Sequence, residues 1–95
     1  MESIKKFNDL VVGNTYVVQG YSDPINSQYG ISYILKISEI NSSVSFDMFS
    51  TNMIAEYISK SRPSNKFTFI VNERNNKKYP VIDGYKKERK YTMLN

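Results

Sequence analysis

The chain contains no cysteine, no histidine and no tryptophan. Without cysteine there are no disulfides, no thiolate nucleophile and no cysteine zinc site. Without histidine the usual general base and the commonest metal ligand are gone. Ser-His-Asp and Cys-His catalysis are therefore excluded. The four glycines are scattered at 13, 20, 30 and 84, so no glycine-rich phosphate loop exists. No apolar run approaches the roughly 20 residues of a membrane span, and the N-terminal residues lack the apolar core of a signal peptide. The expectation is a soluble intracellular protein, in the cytoplasm or nucleus, with no membrane partner. The nine acids form no recognised metal or acid/base motif. Asp47 facing Lys36 reads as a cross-strand ion pair. No enzymatic activity and no cofactor are expected.

What is present is cationic and aromatic. Ninety-five residues make one domain, 1–95, with one modest core. Thirteen Lys and Arg stand against nine acids, for a net charge of +4, and eight Tyr and five Phe make 14% of the chain. A small, basic, aromatic-rich domain with little catalytic equipment points to binding, with nucleic acid as the first partner to test.

Periodicity predicts mostly strands. Residues 15–22 (TYVVQGYS) are β-branched and aromatic. A turn cluster over 23–27 runs on to Tyr29-Gly30. In 31–39, Tyr33, Leu35 and Ile37 fall on one face, and Ser32, Ile34 and Lys36 on the other. After a turn at 41–43, Val44, Phe46 and Met48 alternate with Ser45, Asp47 and Phe49, predicting an antiparallel hairpin with the preceding strand. The period then changes. Met53, Ile54, Tyr57 and Ile58 share one helical face over 51–60, with Ser50 or Thr51 as cap and Pro63 beyond the end. Strands follow at 66–72, 79–82 and 85–94, with a polar, basic turn over 73–78 and a break at Asp83-Gly84. The order is β-β-β-α-β-β.

That order resembles the oligonucleotide/oligosaccharide-binding (OB) fold, a five-stranded Greek-key barrel with a helix between strands 3 and 4. Three segments are similar to its single-stranded-DNA-binding members. Leu10-Val11-Val12-Gly13-Asn14-Thr15-Tyr16 looks like the start of their first strand, where glycine permits a bend. Tyr29-Gly30-Ile31-Ser32-Tyr33-Ile34-Leu35-Lys36 looks like their second strand after a long loop. Phe46-Asp47-Met48-Phe49-Ser50 looks like the third strand running into the helix. The resemblance implies an all-β barrel plugged by a helix presenting Ile54, Tyr57 and Ile58. It also implies a non-catalytic, largely sequence-nonspecific single-stranded DNA-binding protein of small viral or mobile-element type, acting in replication, recombination or repair.

The groove so implied crosses the second and third strands, between the first and the fourth-to-fifth loops. The face assignment puts Ile34, Lys36 and Phe49 outward there, joined by Gln19 and Tyr21. Tyr29 borders the first loop. Arg74, Lys77, Lys78 and Tyr79 sit on the other loop. Bases would stack on the aromatics and phosphates would meet the cations. Tyr16, Tyr33, Phe46, Phe67 and Phe69 are expected in the core, while Tyr21 and Phe49 suit either role. Lys5-Lys6, Lys60 and Arg62 read as ordinary surface charges. The run 86–90 (KKERK) reads as a solvated basic strand or a phosphate-contacting arm. One such barrel engages few nucleotides, so a dimer or higher assembly is expected, paired through an edge strand such as 85–94. The alternative is a protein-interaction module on the same barrel, a replication-complex subunit or host-factor antagonist, with an exposed apolar patch instead of a cationic groove.

Overall fold

A computed structural model describes residues 4–28 and 30–85. The central strand β1 (Thr15–Tyr21) alternates buried Tyr16 and Val18 with more exposed neighbours, as its β-branched and aromatic residues require. A short hairpin follows, β2 (Ile25–Ser27) against β3 (Gly30–Ser32). Then come β4 (Ile34–Glu39), β5 (Ser45–Phe49), the helix α1 (Asn52–Ser61), β6 (Phe67–Arg74) and β7 (Lys77–Ile82). Five strands form one curled antiparallel half-barrel sheet in the order β5-β4-β1-β6-β7, and β2-β3 form a second, two-stranded sheet. The described residues are thus mostly β with one α-helix.

Several boundaries differ from the sequence reading. The strand expected over 31–39 is cut at Tyr33, whose N–H and carbonyl turn to Ser50 (Ser50 Oγ accepts at 3.0 Å, Ser50 N–H donates at 2.8 Å). The turn cluster at 23–27 contains a strand, because Ile25–Ser27 pair with β3. The basic turn over 73–78 shrinks to Asn75-Asn76, both at positive φ (54° and 65°), so β6 and β7 continue to Arg74 and Lys77. Two successive left-handed residues are what a two-residue hairpin needs, and asparagine tolerates that conformation. The strand expected over 85–94 lies outside the described residues from 86 onward.

Gly13 sits at φ 93°, and its N–H donates to the Val71 carbonyl at 2.7 Å, steering the chain into β1. The register of β1 against β4 shifts between Val18 and Gly20, a bulge that re-aims everything after it. Thr51 caps α1 by accepting from the Ile54 N–H at 3.2 Å, and Arg62 closes its other end at φ 43°. The helix buries Ile54, Ala55 and Ile58 in the core with Leu35, Ile37, Met48, Phe69 and Val71. Fully burying each of the two isoleucines is worth about 1.5–3 kcal/mol. Met53 and Tyr57 are half-buried at its edge. Tyr57 packs between Phe67 (ring centroids 4.8 Å apart) and Tyr85 (5.0 Å).

Both sheet edges are marked. Buried Pro80 lacks the N–H for a second partner, as suits the outer strand β7. Beside β5, Lys5 makes a parallel bridge to Met48, with the Lys5 N–H donating to the Asp47 carbonyl at 3.0 Å. Phe7–Asp9 then form one turn of 3-10 helix.

Candidate nucleic-acid interface

The outward face can be read from the register, since directly opposed residues share a face. On β4 and β5, Ile34 opposes Phe49, Lys36 opposes Asp47 and Ser38 opposes Ser45. Leu35, Ile37 and Met48 point the other way and are fully buried. The alternation assigned from sequence therefore matches for these strands. Phe49 is 47% exposed, a large apolar surface to leave in water. Lys36 is exposed, and its other neighbour is Gly20, where a side chain would meet no atom within 4 Å.

The first strand contributes Gln19 but not Tyr21. Gln19 stays on the outer face, its Nε2 donating to Ser38 Oγ at 2.8 Å. Past the bulge Tyr21 opposes buried Leu35 and turns to the inner side. Its ring meets Tyr33 edge-on at 5.8 Å, and its hydroxyl donates to the Pro63 carbonyl at 2.8 Å. Tyr29 lies outside the described residues.

The fourth-to-fifth hairpin stands apart. Arg74 opposes Lys77 at its exposed tip, and Tyr79 opposes Asn72 on the outer face. Arg74 lies four residues beyond Ile70, the partner of Thr15 at the start of β1. Ile34 lies past the other end of β1, where Ser22 N–H donates to its carbonyl. The two groups are therefore on the order of 30 Å apart along the strand path, at about 3.3 Å per residue. Lys78 points to the inner side. Its Nζ donates to the carbonyls of Asn8 (2.7 Å) and Leu10 (2.6 Å), pinning the 3-10 turn.

The curled sheet brings in residues that the sequence reading treated as plain surface. A depression of about 360 Å³ beside Phe49 is lined by Ile4, Lys5, Lys6, Phe7, Ser50 and Thr51. Lys5 Nζ lies 4.9 Å above the Phe46 ring, a cation–π contact that fixes its position. No local pattern marks these lysines, because they line the depression beside Phe49 only through the arm's pairing with β5. A second concave surface, about 620 Å³, runs over the outer face of β6 and β7, where Ile70 and Val81 are half-exposed beside Tyr85.

The Tyr85 hydroxyl donates to Glu56 Oε2 at 3.2 Å. Burial first, then that bond and the carboxylate's charge, push its pKa above the usual tyrosine value. Among the described residues no three acidic side chains gather as a metal site would need, and no helix is long and apolar enough to cross a membrane. Compared with protein families, curated proteins and solved structures, the chain matches none.

Proposed function

We propose that the protein binds single-stranded nucleic acid, without sequence preference and without catalysis, on the outer face of β4 and β5. The observation that carries this reading is Phe49, an exposed aromatic ring bordering a depression that Lys5 and Lys6 line, with Lys36 on the same sheet face. Bases stack on such rings and backbones follow such cations. The sheet order supports the OB-type reading. Counting only the five strands of the large sheet, the third, second, first, fourth and fifth are neighbours in that order, with the helix between the third and fourth. DNA is favoured over RNA by the resemblance alone, and with it a role in replication, recombination or repair inside the cell.

Fluorescence anisotropy tests the proposal. Labelled oligonucleotides of about 20–30 nucleotides, as single-stranded DNA, duplex and RNA, are titrated across a salt series. Saturable binding that favours the single strand and weakens steeply with salt supports it. Flat curves at low salt refute it.

A second reading is favoured by the apolar outer face of β6 and β7, where Ile70, Tyr79 and Val81 are each about two-fifths exposed. That surface suits a protein partner, or the second copy that a short single-strand site calls for. Ile70→Lys should then abolish self-association in sedimentation velocity, and a wild-type chain that sediments as a monomer removes the self-association version.

A further inference from the structure

We infer that the depression beside Phe49 holds one nucleotide unit of the bound strand, its base stacked on Phe49 and its flanking phosphates held by Lys5 and Lys6. This rests on the single-strand reading above and adds the N-terminal arm to the site. The depression, at about 360 Å³, falls at the lower end of the range for small-ligand pockets. Its lining divides by chemistry. Phe49, Phe7 and Ile4 offer apolar surface, and Lys5 and Lys6 offer charge. Ser50 and Thr51 add hydroxyls, both already engaged at Tyr33 N–H and Ile54 N–H.

The arm is held in place rather than loosely adjacent. The Lys5 N–H donates to the Asp47 carbonyl, and the Lys6 N–H donates to Asp9 Oδ2 at 3.1 Å. Lys5 Nζ rests over the Phe46 ring, on the inner side of β5, and a strand bound at Phe49 would draw it from there. Two carboxylates lie near. Asp47 opposes Lys36 across β4–β5, and Asp9 is bonded to the arm's backbone. Neither lines the depression, and among the described residues its charged lining side chains are Lys5 and Lys6. An aromatic face with cations at its border, at the size of one nucleotide, recognises the unit common to all single strands and discriminates little between bases.

The test has three parts. First, Lys5→Gln with Lys6→Gln is measured in the anisotropy salt series. If both lysines contact phosphates, the slope of log K against log salt falls by about 1.4, at about 0.7 per phosphate on a single strand. Second, Phe49→Ala should weaken binding about 5- to 150-fold, with Phe49→Tyr restoring it, since one stacked base is worth about 1–3 kcal/mol. Third, a 5-iodouracil oligonucleotide irradiated in complex should crosslink to the peptide carrying Phe49. Thermal unfolding of each variant checks that the fold persists. A wild-type chain that binds single strands while the double variant keeps its salt slope and the crosslink falls elsewhere overturns this inference and leaves the single-strand reading standing. A wild-type chain that does not bind overturns both.

Discussion

Gln19 and Tyr21 stand two positions apart in β1 and yet lie on opposite faces of the sheet. Gln19 bonds Ser38 on the outside, while Tyr21 packs against Tyr33 and bonds the Pro63 carbonyl on the inside. Strand residues at i and i+2 normally share a face. The bulge between Val18 and Gly20 leaves Gln19 as an extra residue in β1 and reverses the alternation after it. Tyr21→Phe keeps the ring and removes the hydroxyl bond. It should cost about 1 kcal/mol in denaturant unfolding and leave oligonucleotide affinity unchanged. A clear loss of affinity would place Tyr21 in the interface after all.

Lys78 is a structural cation. Its Nζ bonds two backbone carbonyls of the 3-10 turn. Lys78→Met keeps much of the stem and strands both acceptors. Stability should fall by about 1–3 kcal/mol, read from the urea midpoint. The salt slope of oligonucleotide binding should not change.

The β6–β7 turn holds Asn75 and Asn76 at positive φ. Glycine adopts that conformation without the Cβ penalty, and Asn-Gly is the favoured pair for this turn. Asn76→Gly should raise the melting temperature by a few degrees. A fall on calorimetry would mean that the Asn76 side chain holds the turn.

Lys36 and Lys77 should differ on a short ligand. With a single strand of about six nucleotides, Lys36→Gln should lower the salt slope by about 0.7, one phosphate contact. Lys77→Gln should leave it unchanged, because the hairpin tip is far from Phe49 along the strands. Equal effects would mean that the strand follows a path joining both.

Tyr85 makes stability sensitive to alkali. Its hydroxyl is harder to deprotonate in the folded protein than in the unfolded chain, because of burial and the adjacent Glu56. The folded value lies above the ordinary 10.0. The contribution is therefore intact below about pH 10 and lost as pH climbs through the folded value. Tyr85→Phe keeps the packing on Tyr57 and removes the titration. Melting temperature between about pH 9 and 12 should fall less steeply in the variant than in wild type, and parallel profiles would refute the assignment.

Much of the fold was legible because two periods carry it. Alternation in 31–49 separates Leu35, Ile37 and Met48 from Lys36, Asp47 and Phe49, and the buried set follows it. The change of period at Thr51 marks a helix whose cap and stop are local chemistry. The β2–β3 hairpin was not legible. Ile25-Asn26-Ser27 has no alternation to read, and its three residues are strand only because Gly30–Ser32 lie opposite.

The candidate site was half legible. Ile34, Lys36, Phe49 and Gln19 follow from alternation, but the same alternation puts Tyr21 beside Gln19, and the bulge after Val18 turns Tyr21 away. Lys5 and Lys6 do not, since a lysine pair in a polar stretch has no signature of what it will face. Arg74 and Lys77 join the groove by loop position alone, and the register sets them at the far end of the strands from Phe49.

By itself the amino-acid sequence determined the chemistry on offer and the local elements. It excluded thiol and imidazole chemistry, set a positive charge, and specified strands and a helix through side-chain period and capping, all properties of neighbours along the chain. The tertiary structure decided which of those elements meet. The bulge between Val18 and Gly20, the parallel pairing of Lys5 with Met48 and the reach of Lys78 to the 3-10 turn join residues far apart in sequence. Such contacts depend on how the whole sheet curls and closes its core, and no short stretch of sequence encodes that.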